Sequence, residues 1–470
     1  MADGDYLGVL CRFLAATGPD DLPPAVIARG HRVVADTLGA IAAGSAEPEM
    51  RRLARDMLAG EPTGPGRAPC RVIGTGLRAT PEIAAFLNGA AGTFLELDEG
   101  NQFARGHPAI HVLPALLAWA EAREPAKAPI SGAPITGAAV MRALVLAYDV
   151  GARIGIATRM RHATHPHGTW GTVAAAVGIA LLEDAPAPLL AEVINVSASL
   201  ALATSRKTML QGGTVRNAYA GVSGQLGIMA WRMVAAGFTG ERDGLASVFG
   251  EVIGEAFAPA AMTDELGLRW EITRNYFKRH ACCRYNHAAL DALAALVAQH
   301  GRALDPAAVE IVEVNTYGLA AELSDRRPRN TLGAKFSVPF AIATALVNGG
   351  TGVSSFTSER VGDPRIRQLA DRVRVAEDAR LSAMLPALRP ARVDVTLTDG
   401  THLAAETQTN RGDFEDPYTD AELREKYAEL TARVLPRAAA DAAHAAAFRL
   451  ESLTRIDDLT AHLVPPAPAA

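Results

Sequence analysis

From residue 23 to residue 236 apolar side chains recur at three- and four-residue steps, and almost nothing alternates at period two. In 23–44, Val26, Ile27, Val33, Val34, Leu38 and Ile41 fall at those steps, and Gly44 can close a helix. The same spacing predicts helices over 81–97, 109–123, 137–158, 169–183, 188–204 and 217–236, with Gly or Pro between them. A sandwich or barrel cannot be the main body of such a chain. Alanine is abundant and aromatics make up only 5% of residues, which favours helices packed at close range. With 49% hydrophobic and 21% charged residues the chain can bury a sizeable core, and 470 residues leave room for more than one domain.

The pattern changes beyond residue 270. Val309, Ile311 and 312–317 read as a strand, 372–376 as a second, and 393–398 with 401–407 as a hairpin around Asp399-Gly400, a dipeptide suited to a type I′ turn. Helices are expected over 286–299 and 337–347, and again over 421–435 and 438–453. The expected fold is mostly α with an inserted α+β domain: an all-helical domain from 1–274 and 406–470, and an α+β domain over 275–405. The tail VPPAPAA reads as a frayed end.

Several function classes are disfavoured. Lys and Arg number 46 against 51 Asp and Glu, a net charge of −5, so no basic field exists to hold nucleic acid. Cys11, Cys70, Cys282 and Cys283 form neither a disulfide framework nor a CxxC zinc pattern. The start MADGDYLGVL lacks a basic n-region. The uncharged stretch 336–358 contains a proline, an asparagine and Gly-Gly-Thr-Gly, unlike a membrane span. A cytoplasmic protein without a membrane partner is expected. Val72–Ala79 imitates a GxGxxA dinucleotide fingerprint, but no strands over 80–270 supply the parallel sheet that motif needs.

Four segments can carry chemistry. Leu97–Pro114 sets Asp98, Glu99, Arg105, His107 and His111 in a Gly-broken loop between apolar helices, where catalytic groups concentrate; the plain alternative is a polar, capping loop. His162, His165 and His167 precede an Ala-rich helix whose N-terminus suits a carboxylate. They read as acid–base groups or as structural histidines, and no HExxH or comparable spacing supports a metal. Arg216 lies at the mouth of a small-residue helix, where it can take a carboxylate through two parallel hydrogen bonds or simply cap the helix. Tyr276–His287 crowds Lys278, Arg279, Arg284, two histidines and two thiols into the junction between the domains, a favoured place for a pocket. Nothing in the spacing singles out either thiol as a nucleophile.

In chain order stand Asp36-Thr37-Leu38-Gly39, Ile73–Gly76, Ala84–Gly89, Leu97-Asp98, His107-Pro108, Val112–Leu117, His165–Gly171, Gly237–Gly240, Phe277-Lys278, Cys282–Arg284, His287, Ala334–Phe340, Arg411–Asp413 and Asp416-Pro417. In these segments the chain resembles the MmgE/PrpD family over nearly its full length. That family includes 2-methylcitrate dehydratases, cis-aconitate decarboxylases and iminodisuccinate epimerases. The resemblance implies the two-domain fold above, a homodimer, a basic cleft between the domains, and neither metal nor organic cofactor. It carries catalytic roles to Asp98, His107, His165 and Lys278, with Tyr317 matching a tyrosine of the small domain. Arg216, Arg284, Gln102, His167 and His287 are the candidates for substrate contacts. Two departures stand out: Gly100-Asn101-Gln102 replaces the family's Asp-Asp-Thr, and Arg216 and Tyr219 replace a lysine and a histidine. The implied substrate is a small anionic carboxylic acid. Dehydration in the manner of 2-methylcitrate dehydratase is the leading expectation, with epimerisation or decarboxylation next. From another class, the chain could be a catalytically silent, dimeric carboxylate-binding protein.

Overall fold

A computed structural model describes residues 5–59, 68–123 and 135–465. The first four residues and the end of the VPPAPAA tail lie outside the described residues. The first helices are α1 (Tyr6–Ala16), α2 (Pro24–Ser45), α3 (Pro48–Leu58), α4 (Pro81–Phe94), α5 (Pro108–Arg123) and α6 (Gly137–Ala157). They continue with α7 (Gly171–Leu182), α8 (Ala187–Ala198) and α9 (Tyr219–Ala235). Proline opens α2, α3 and α4 at the first helical position, where its missing N–H costs nothing. Helices α4 and α9 cross backbone to backbone. A Cβ on Gly221 would stand 2.1 Å from the Phe86 carbonyl oxygen, so only glycine fits there.

In the second half, α10 (His287–His300) and α11 (Val338–Asn348) pack around a four-stranded sheet. Its strands are β1 (Val309–Thr316), β2 (Val373–Glu377), β3 (Ala391–Leu397) and β4 (His402–Thr407), in the spatial order β2-β1-β3-β4. β1 and β2 run parallel, and the other pairs are antiparallel. Strand β3 alternates buried and half-buried residues without a break, the period-two pattern its sequence shows. The chain then returns through α12 (Asp420–Thr431) and α13 (Arg437–Ala447) to the helical body. The buried apolar residues form two cores. One joins α1–α9 with Tyr427–Leu463 of the C-terminal segment; the other joins the sheet with α10 and α11. The fold is thus mostly helical with a smaller α+β part.

Several boundaries depart from expectation. The hairpin turn is not type I′: Gly400 has positive φ but Asp399 does not, and the Gly400 amide donates to the Leu397 carbonyl at 2.9 Å. This is a three-residue loop, a type I turn closed by a left-handed glycine. Helix α4 stops at Phe94 rather than 97, because Glu96 takes a left-handed conformation. α7 starts at Gly171 rather than 169, α8 ends at Ala198 rather than 204, and α13 ends at Ala447 rather than 453. In the α8 case the freed residues Thr204–Ser205 pair with Thr164–His165. Propensity cannot foresee such tertiary pairing. The residues imitating a nucleotide fingerprint form the turn of an antiparallel ribbon, Cys70–Arg71 against Arg78–Ala79, not a strand-to-helix turn of a parallel sheet.

Candidate active site

A small hollow opens at the seam between the two cores. The helical part lines it with Glu96, Arg105, His107, His165, His167, Arg206 and Arg216. Tyr276, Cys283, Arg284, Tyr285, Phe336 and Arg389 line it from the other part.

The loop after α4 is shaped by local rules and then clamped. Asn101 folds it back: its side-chain oxygen accepts from the amides of Phe103 (2.9 Å) and Ala104 (3.0 Å), and its own amide donates to Gly106 O at 2.8 Å. Glu96 and Arg105 both hold positive φ without being glycine, a local strain typical of functional loops. Gly100–Asn101 pairs antiparallel with Asn275–Tyr276, which carries Lys278 up to Asp98. Two buried lysines from the second half hold the loop's backbone. Lys335 donates to Phe94 O at 2.8 Å, and Lys426 donates to Leu97 O at 2.7 Å and to Asp36 at 2.5 Å. Burial pushes Lys335 down to about 8. Burial also lowers Lys426 and raises Asp36, each opposed by the other's charge.

Inside this frame lies a chain of ionic groups. Arg216 pairs with Glu96; Lys278 Nζ lies 3.8 Å from Glu96 and 3.5 Å from Asp98; Asp98 lies 3.1 Å from His107 Nδ1. Asp98 and Lys278 are 1% and 0% exposed. Burial would raise the Asp98 carboxyl, but His107, Lys278 and Arg216 outweigh it and hold it well below the usual carboxylate range. His107 Nδ1 also lies 2.7 Å from the Glu99 carbonyl. A carbonyl only accepts, so Nδ1 carries a proton and Nε2 is the ring nitrogen left for a ligand. Glu99 itself is fully buried and pushed up to about 8, with the Ala109 amide opposing the shift. It caps the start of α5 and accepts from Tyr148 at 2.9 Å.

The other histidines differ. Burial first, then the Arg216 charge, holds His165 and His167 well below their usual range, so both are neutral imidazoles. His165 Nε2 accepts from Arg216 at 3.4 Å, and neither nitrogen of His167 has a protein partner. Behind His167, with ring centres 4.7 Å apart, His111 is pushed down to about 3 by burial. Cys283 reaches the hollow, but burial raises its thiol to about 11 and raises that of Cys282 as well. Neither is a ready nucleophile. Among the described residues no three His, Cys, Asp or Glu side chains converge as a metal site requires.

Asp98, His107, His165, His167, Lys278, Arg216 and Arg284 therefore gather at one place, on the wall of the hollow or directly behind it. Tyr317 does not line it: its ring stands behind Tyr285, centres 5.8 Å apart, with its hydroxyl buried and unpartnered. His287 faces away, its Nε2 3.3 Å from the Cys282 carbonyl and its ring edge-on to His280. The Gln102 side chain donates outward to Ala387 O at 3.2 Å, and only its carbonyl serves the site, accepting from Arg389 at 2.8 Å. The loop, folded back by Asn101, turns that side chain away. Sequence reasoning missed Glu96, Arg206, Tyr276 and Arg389. Arg206 follows the Thr204–Ser205 strand and Arg389 precedes β3, and no local pattern marks either as facing a hollow.

Fold and site define a class: a mostly helical protein with a second, α+β core and a hollow lined by arginine and histidine where the two cores meet. The chain belongs to the MmgE/PrpD family. Residues 8–256 match its N-terminal domain and residues 280–451 its C-terminal domain. It is 25% identical to the cis-aconitate decarboxylase-like protein oryM of Aspergillus oryzae, over 98% of this chain and 97% of that protein. It is 22% identical to the cis-aconitate decarboxylase of Aspergillus terreus, over 96% and 94%. To the cis-aconitate decarboxylase of Mus musculus it is 26% identical, over 83% and 80%.

Proposed function

We propose that the protein is a lyase acting on a small di- or tricarboxylic acid, and that it removes CO2 from a carbon beside a second carboxylate. The observation that carries this reading is the buried Asp98–His107 pair at a hollow lined by arginines. Likeness to proteins named cis-aconitate decarboxylases supports the carboxy-lyase form over the dehydratase expected from the sequence. In the step, the C–C bond to one carboxylate breaks and CO2 leaves. The electron pair passes into the skeleton toward the second carboxylate, and cations stabilise the charge that develops there. His107 Nε2 delivers a proton to the carbon and is recharged from water, while Asp98 and the Glu99 carbonyl hold the ring by Nδ1.

Dehydration is kept as the second reading because Tyr276 lines the same hollow, its ring 6.3 Å from that of His107. Burial holds its phenol protonated, so it can donate to a departing hydroxide while His107 takes the carbon-bound proton. A panel of small polycarboxylic acids, cis-aconitate first, followed for CO2 release and for loss of water, tests both. CO2 release from at least one member supports the first reading. Water loss alone selects the second, and turnover of none defeats both.

A further inference from the structure

We propose that Arg389 anchors a substrate carboxylate remote from the reacting carbon, with Arg284 beside it, so that the hollow selects acids with at least two carboxylates; this rests on the carboxylate-lyase reading above. Each of the other buried arginines at the hollow already has a carboxylate: Arg206 has Glu322, Arg216 has Glu96 and Arg284 has Asp413. Arg389 has none within ion-pair distance among the described residues. It is only 7% exposed, its Nη2 donates to the Gln102 carbonyl, and its Nε has no partner. Nε and Nη1 of Arg284 are also unpartnered. A guanidinium cannot escape burial by losing its proton, so an unpaired one calls for an anion, and a ligand carboxylate supplies it.

The group is held in place for that task. Gln102 returns a hydrogen bond to Ala387 O, and Asn410 donates to the Arg389 carbonyl at 3.3 Å. The Asn410 amide donates to Asp413 at 2.9 Å, and Asp413 in turn holds Arg284, so one turn fixes both arginines. Tyr276 stands next to both Arg284 and the reacting end: the Arg284 guanidinium lies 4.5 Å over its ring centre, and the His107 ring is nearly perpendicular to it, centres 6.3 Å apart.

The test titrates full-length protein with propane-1,2,3-tricarboxylate, an unreactive probe, and with butyrate, which has one carboxylate, by ligand NMR. Arg389→Gln is expected to weaken the tricarboxylate about 10- to 100-fold, as loss of a charged hydrogen bond does. Butyrate should change less than about 3-fold, because a single carboxylate does not need the remote anchor. Arg389→Lys, which keeps the charge, should weaken the tricarboxylate by a smaller factor and decides the matter if the glutamine variant does not fold. Unchanged tricarboxylate binding in a folded variant, or equal loss of both probes, overturns the anchor while leaving the lyase reading intact. A wild-type protein that binds neither probe overturns both.

Discussion

His107 offers one free nitrogen because its other is spent on the Glu99 carbonyl and faces Asp98. His107→Asn should therefore lower kcat about 10²- to 10⁴-fold with little change in melting temperature, measured with the acid the panel identifies. His165 is neutral and tied to Arg216, so it serves as a hydrogen-bonding group rather than an acid. His165→Ala should abolish activity while leaving the fold intact by circular dichroism. His111 gives a stability prediction. Its folded pKa of about 3 lies below the unfolded value of about 6.5, so between these pH values the unfolded chain binds the extra proton. That contribution is whole above pH 6.5 and lost as pH falls. His111→Leu lacks the loss and should gain on wild type by about 1.4 kcal/mol per pH unit from 6.5 downward, read from urea midpoints. The gathering of Asp98, His107, His165 and Lys278 at one place was legible in the sequence because they fall in short polar segments between apolar helices. Arg389 was not, since its role depends on a missing partner that only the folded site reveals.

The loop after α4 is the element on which the site depends, and its anchors come from far along the chain. Lys426 on α12 and Lys335 before α11 grip its carbonyls at Leu97 and Phe94. Removing Lys426 leaves Asp36 of α2 buried and unpaired. Lys426→Met should destabilise by about 3–5 kcal/mol, and Asp36→Leu/Lys426→Met by clearly less than the sum of the single changes, in denaturant titrations. The helices of this region were legible from their spacing. The clamp was not, because a lysine in the charged stretch Asp420–Thr431 looks like a surface residue of an amphipathic helix. The hairpin of β3 and β4 was placed correctly and its turn misassigned, since Asp-Gly serves both a two-residue and a three-residue loop.

At the scale of the molecule, the two cores meet where neither alone could build the hollow. Segments that carry the family resemblance, among them those with Asp36, Lys335 and Asp413, fix loops and arginines rather than touch the reacting atoms. That explains why they are scattered along the chain while the site is compact. No helix among the described residues is long and apolar enough to cross a membrane. We propose that the protein is a cytoplasmic homodimer, and its mass in solution checks the second point. The most direct measurement follows cis-aconitate and related polycarboxylic acids with the protein in D2O by proton and carbon NMR. CO2 should leave, one deuteron should appear on the carbon skeleton, and both signals should vanish in His107→Asn. Unaltered acids after prolonged incubation, or equal turnover by the variant, would contradict a site in which the Asp98–His107 pair moves the proton.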